Sequence, residues 1–254
     1  MDKRFLKQIL IASIFILIVA GPIYFRFFSG PSESLPSPLP NIAEPVIILE
    51  KLFKVDELDY DFLVQIKNPN VDFGASEVMY EFRLFNASGQ TIFERTNSNF
   101  LLPGQTRYEI ISPIRIGEEA VDFDFRIIEA DWQKIDDFVL PSLLSVKNTN
   151  YSEVEPPEQG FSKIAGSVSN DSNFDFEKVD VYAVLLDEQN IPIAVNKTDI
   201  RTFLSKTERS FEVKWFKSFE ENVSRFEVNP YTNVLRNENF IKEHGSQERF
   251  QKFY

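Results

Sequence analysis

Phe62-Leu63-Val64-Gln65-Ile66-Lys67-Asn68 and Ile164-Ala165-Gly166-Ser167-Val168-Ser169-Asn170 decide the fold of this chain. Taken at every second position, Phe62, Val64, Ile66 and Asn68 match Ile164, Gly166, Val168 and Asn170, each 102 positions later. Outward from this pair the match continues. Leu84 and Asn86 match Leu185 and Asp187 at an offset of 101, Tyr108 matches Phe211 at 103, and Phe125 matches Phe226 at 101. An offset that drifts by so little across six candidate strands predicts two copies of one module, 46–137 and 138–236. Period-two alternation fills both. Val78, Tyr80, Phe82 and Leu84 share one face while Glu81 and Arg83 point the other way. Val121, Phe123, Phe125 and Ile127 alternate with Asp122, Asp124 and Arg126, as Phe211, Val213 and Trp215 do with Glu212 and Lys214. Each run suits a half-buried antiparallel strand with one face on a core and one in water. With 26 phenylalanines to fill the interiors, the expected fold is all-β: two tandem immunoglobulin-like sandwiches. Asn86-Ala87-Ser88-Gly89 and Asp187-Glu188-Gln189-Asn190 each end in a residue that tolerates a left-handed backbone, which predicts a tight turn in both copies. Pro156-Pro157 is expected between the first two strands of the second copy.

Phe82-Arg83-Leu84-Phe85-Asn86 resembles the F-x-L-y-D signature of the FxLyD family of small extracytoplasmic immunoglobulin-like modules, with Asn for the final Asp. Ala183-Val184-Leu185-Leu186-Asp187 keeps the Leu and the Asp and lacks the opening Phe. Val64-Gln65-Ile66-Lys67-Asn68-Pro69-Asn70 is similar to the strand end of desiccation-related, WHy-type modules. The resemblance spans most of 46–236. It implies a sandwich fold and an extracytoplasmic location, and no catalytic residue comes with it.

Ahead of the modules, Lys3, Arg4 and Lys7 precede 18 uncharged residues, 8–25. As a helix, 5–28 would run about 36 Å, enough for a hydrocarbon core of about 30 Å. Tyr24, Phe25, Phe27 and Phe28 around Arg26 resemble an interfacial aromatic belt. A cleaved signal peptide needs small residues before the cut, and the sites after Ala20 and Gly21 are poor. The expectation is a cytoplasmic basic stub and one transmembrane helix over 1–28, anchored in membrane lipid. The positive flank keeps the N-terminus inside, and the rest of the chain lies outside the plasma membrane. Residues 29–45 hold five prolines and four serines, which predicts an extended stalk reaching up to about 50 Å.

Charge and composition exclude several functions. The chain carries 27 basic and 39 acidic residues, a formal charge of −12. Residues 1–28 hold four of those bases and one acid, so the body is more acidic still and repels a phosphate backbone. There is no cysteine and one histidine, His244. Thiolate chemistry, zinc–thiolate sites, clustered histidine ligands and most hydrolytic triads are therefore unavailable.

Three acidic groups invite chemistry. Asp56-Glu57-Leu58-Asp59-Tyr60-Asp61 offers oxygen ligands for Ca²⁺, and Asp171-Ser172-Asn173-Phe174-Asp175 copies the first half of a calcium loop. In the latter Phe176 replaces the tight-turn glycine and Tyr182 the bidentate glutamate. Asp122 and Asp124 share a strand face, and paired carboxylates can divide acid and base roles. Solvated turns and a solvent-facing strand account for all three more simply. Asn-x-Ser/Thr acceptors occur at Asn86, Asn150, Asn170, Asn196 and Asn222. The polar tail 237–254, which contains His244, holds Phe240 and Ile241 among charges. Its readings are a short amphipathic helix or a frayed terminus.

The resulting expectation is a non-enzymatic binding or spacer module of the cell envelope, without catalytic residues, cofactor or metal. Its partner is an envelope protein or glycan, reached by strand addition or loop contacts, and not a nucleic acid. The alternatives are a carboxylate-dependent envelope hydrolase and a calcium-stiffened adhesion stalk.

Overall fold

The computed structural model describes residues 42–135 and 143–244. The expected stub and membrane helix, most of the stalk, the start of the second module and the end of the tail lie outside the described residues. No helix within them is long and apolar enough to cross a membrane.

Twelve strands follow in order: β1 (Val46–Lys54), β2 (Asp59–Lys67), β3 (Phe73–Phe85), β4 (Thr91–Leu101), β5 (Thr106–Arg115) and β6 (Asp122–Lys134), then β7 (Leu144–Glu153), β8 (Ser162–Asn170), β9 (Phe176–Leu186), β10 (Pro192–Phe203), β11 (Glu208–Trp215) and β12 (Arg225–Tyr231). The first six pair as β1-β2-β5 and β4-β3-β6, and the second six as β7-β8-β11 and β10-β9-β12. All of these pairings are antiparallel. Strand for strand, the second half repeats the pairing order of the first. The fold is all-β and immunoglobulin-like. Pro156-Pro157 lies between β7 and β8, with a cis bond.

Alternation builds the first core. Phe62, Val64 and Ile66 on β2 meet Tyr80, Phe82 and Leu84 on β3, and all six are buried. Phe62 stacks on Phe82 with centroids 4.2 Å apart. Each such ring or branched chain contributes roughly 1.5–3 kcal/mol on burial. The outer face of β3 carries Glu81 and Arg83, and Glu81 pairs with both Arg83 and Arg126.

The shared asparagines do the same work in each copy. Asn68 donates its amide to the carbonyls of Phe73 and Leu102, and Asn170 donates to those of Phe174, Phe203 and Leu204. Both side chains are fully buried, and each Oδ1 accepts the N–H two residues on, from Asn70 or Ser172. Each thereby ties the loop after its own strand to the turn preceding the fifth strand of its copy. The hairpin turns also agree. Asn86 Oδ1 accepts the N–H groups of Ser88 and Gln90, and Asp187 Oδ1 those of Gln189 and Ile191. Gly89 and Asn190 take the left-handed backbone at φ 73° and 62°.

Two of the matched pairs shift. Val64 lies opposite Glu109, and its counterpart Gly166 lies opposite Phe211. The structural equivalent of Phe211 is therefore Glu109 and not Tyr108. The match through Tyr108 slipped by one residue, and in a strand one residue is the other face. The volumes compensate: a Cβ on Gly166 would come within 3.0 Å of the Phe211 ring. Leu84 lies opposite Phe123 and Leu185 opposite Phe226, so Phe123, not Phe125, is the counterpart of Phe226. That slip of two residues leaves the face unchanged.

The two sandwiches are stacked. β10 lies against β1, β2 and β5, and a single apolar cluster joins Phe53, Leu63, Tyr108 and Ile110 of the first copy to the second. β9 is buried on both faces: Val181, Ala183 and Leu185 lie on its own core side, with Tyr182 and Val184 on the other. At the positions of Tyr182 and Val184 the first copy has Glu81 and Arg83. The first copy's outer face carries Glu81 paired with Arg83 and Arg126, whereas the second copy's is apolar where the first copy covers it. Beyond β12 a 3-10 turn (Val234–Arg236) leads to helix α1 (Glu238–His244). Asn237 Oδ1 accepts the N–H groups of Asn239 and Phe240 at its start. Phe240 is 1% exposed and meets Phe174 edge-on at 5.4 Å, so this part of the tail is a docked helix.

Candidate functional site

The acidic candidates do not converge. Asp56 pairs with Lys217 at 2.5 Å, and Lys217 together with the Glu57 N–H holds its carboxyl below the usual range. Asp59 faces Arg115 at 3.5 Å. Asp61 lies on the module-facing side of β2, opposite Phe53. Burial pushes its carboxyl up to about 6, against a hydrogen bond from Ser112. In the second candidate loop, Asp171 accepts the hydroxyls of Ser145 and Ser169, while Asp175 Oδ1 accepts the N–H of Ser205. These carboxylates cap loops. Among the described residues no group of three or more His, Asp or Glu is placed to hold a metal ion.

Asp122 and Asp124 are exposed on the outer face of β6. A cavity of about 290 Å³ lies elsewhere, beside α1, lined by Leu235, Arg236, Glu238, Ile241 and Lys242. His244 is the last described residue of α1. Of the glycan acceptors, Asn170 is fully buried and cannot meet a transferase, Asn86 and Asn196 are half-buried, and Asn150 and Asn222 are exposed.

The densest chemistry of the described residues is a buried junction between the sandwiches that the alternation pattern did not single out. Arg107 and Glu109 alternate along β5 and share its core-facing side. They are 1% and 3% exposed. Their charges lie 3.9 Å apart. Glu109 accepts from the hydroxyl of Tyr80 at 2.7 Å, from that of Tyr182 at 3.3 Å, and from the amide of Asn99. Arg107 donates to the Phe100 carbonyl at 3.0 Å, and its guanidinium lies 4.2 Å from the Phe100 ring centroid and 4.4 Å from that of Tyr231. Burial, and then Glu109, raise the tyrosine hydroxyls of Tyr80 and Tyr182, which keeps both as donors. The Tyr108 hydroxyl donates to Glu227; burial and Glu227 push it up to about 12.

The same residues close the free edge of β5. The Tyr108 N–H donates to Tyr231 Oη, and Lys197 Nζ donates to the Ile110 carbonyl at 2.7 Å. Burial lowers the Lys197 pKa while Glu109 supports the charge. An edge strand that would otherwise invite pairing is thus consumed within the molecule. One signal for the junction is present in the sequence. Residues 181–186, Val-Tyr-Ala-Val-Leu-Leu, run apolar without alternation, as a strand covered on both faces does.

Fold and junction together define a tandem immunoglobulin-like β-sandwich protein whose copies are locked face to face. No family profile and no curated protein matches the chain. Solved structures similar to it include the red sea bream transglutaminase (10% identity, TM-score 0.24, covering 76% of this chain and 31% of that one). The calcium binding domain CBD12 of CALX1.1 shows 11% identity and TM-score 0.21, over 72% of this chain and 80% of that one. A glycosyl hydrolase family 2 member from Bacteroides cellulosilyticus DSM 14838 shows 10% identity and TM-score 0.23, over 69% and 28%. The chain spans about a third of the transglutaminase and hydrolase chains. Likenesses this slight carry neither chemistry nor ligands across.

Proposed function

We propose that the chain is a single-pass, membrane-anchored, extracytoplasmic tandem sandwich of the FxLyD and WHy kind, serving the cell envelope as a non-catalytic binding or spacer module. The observation that carries this reading is the locked stack. Two sandwiches that bury Arg107 and Glu109 at their junction, with Asp56, Asp171 and Asp175 on loops and Asp122 and Asp124 on an exposed strand face, make a stiff unit. A catalytic cleft needs convergence instead.

The loop charges gather at one end of the stack. Arg236 pairs with Glu77 and Lys217 with Asp56, so the two copies lie with like ends together. The loops at the end opposite the start of β1 (55–58, 86–90, 116–121, 154–161, 187–191 and 216–224) hold ten acidic residues against Lys217 alone. That end presents a strongly acidic surface to a partner. Protease added to intact cells should remove the sandwich unit, and chemical cross-linking of membranes should return one reproducible protein or glycan partner. Full protection from protease refutes the placement. Accessible protein with no partner leaves the spacer role alone.

A further inference from the structure

The first sandwich is open on a side where the second is closed. β1 ends one of its sheets and β6 the other. These two edges are the equivalents of β7 and β12, which lie on one side of the second sandwich. In the second copy the equivalent strands β7 and β12 touch, whereas contact between β1 and β6 is weaker. The edge of β5 is covered by Tyr231 and Lys197. β6 has no such cover: among the described strands it pairs with β3 alone. In the seven-stranded immunoglobulin plan a further strand pairs at this place.

Bulges frame the opening. The register of β1 skips Ile48 and that of β6 skips Ile128, and these isoleucines stand 51% and 49% exposed. A bulge re-aims a side chain and interrupts a ladder, so the regular edge of β6 is 122–127. Along it Asp122 and Asp124 stand exposed, with Glu50 across the opening. Arg126, the cation of that stretch, is held by Glu81 at 2.8 Å, and Lys54 on β1 is held by Glu119. Among the described residues none of the three carboxylates forms an ion pair; Asp122 and Asp124 lie on the outer face of β6, and Glu50, opposite Val64, lies on the side of β1 that faces the opening.

We infer that 122–127 of β6 receives an extended segment of a partner polypeptide as a fourth strand of the β4-β3-β6 sheet. The segment carries Lys or Arg for Glu50, Asp122 and Asp124, and apolar side chains that cover Ile48 and Ile128. Main-chain bonds supply affinity and the alternating side chains supply selection. The inference rests on the binding-module reading and gives it a docking edge.

The test uses the full chain in detergent micelles, with a synthetic peptide alternating valine and lysine and a valine–glutamate peptide as control. Amide exchange within 122–127 should slow about tenfold or more with the lysine peptide only, and the effect should fade with salt. The double variant Glu50→Lys/Asp124→Lys, checked for an unchanged circular dichroism spectrum, should reverse the preference. An unprotected β6, equal protection by both peptides, or a footprint on β12 instead overturns the inference. If β6 stays unprotected while membrane cross-linking still returns a partner, the docking edge fails and the binding reading survives. If β6 is protected but no partner is recovered from membranes, the edge stands and the binding reading is the one that fails.

Discussion

Asp61 should make this protein more stable in mild acid through one identifiable group. It sits on the module-facing side of β2, where burial raises its carboxyl from the usual 3.8 to about 6. That interval corresponds to about 3 kcal/mol, at about 1.36 kcal/mol for each tenfold change in proton affinity. The sign follows from the raised value. The folded state holds the proton more tightly than the unfolded chain, so the contribution is complete below about pH 4 and is lost as pH rises through about 6. At pH 7.5 the wild type therefore carries a buried charge that Asp61→Asn lacks, while Asn keeps an acceptor for Ser112. Urea unfolding should show the variant more stable than wild type by up to about 3 kcal/mol at pH 7.5, and the gap should close at pH 4. Carboxylates held low by partners, such as Asp56, Glu158 and Asp171, act in the opposite sense. They are common to both proteins and cancel in the difference. A gap of the same size at both pH values would refute the assignment of the effect to Asp61.

Asn68→Ala and Asn170→Ala should each cost about 1–3 kcal/mol by chemical denaturation, because each strands backbone carbonyls in the interior; a negligible loss for either would contradict the equivalence of the two loops. Arg107→Met should cost about 3–5 kcal/mol by leaving Glu109 buried without its cation, whereas Arg107→Met combined with Glu109→Leu should recover only part of that loss, because Tyr80, Tyr182 and Asn99 then lack their acceptor. A double variant as weak as the single one would show that the pair itself stabilises the junction. Phe240→Ala should release α1, seen as fast amide exchange over 238–244 with the sheets still protected; an unchanged exchange pattern would mean that Phe240 does not hold the helix. Millimolar calcium should leave the melting temperature unmoved, since Asp171 and Asp175 already cap their own loops, and a rise reversed by chelator would restore the calcium-stiffened stalk.

Local chemistry explains what could be read along the chain. Alternation marks two faces of a strand, so Phe62, Val64 and Ile66, or Tyr80, Phe82 and Leu84, announce a core wherever they fold. Asn86 and Asp187 make their turns within five residues, and Asn68 and Asn170 recur at one spacing because the module is repeated. The duplication, the all-β class, the exclusion of thiol and histidine chemistry and the loop-capping turns were therefore within reach of a single chain of letters. What covers the second face of each strand was decided by the tertiary structure, since burial there depends on another sheet arriving from far along the chain. Glu81 and Tyr182 occupy equivalent positions, yet Arg83 and Arg126 cover one and the first sandwich covers the other. For the same reason Tyr108 was matched to Phe211 one residue out of phase, and nothing in the alternation singled out Arg107 and Glu109. Only the stacking of the two copies gives that pair its desolvated place, its tyrosine donors and its closed edge.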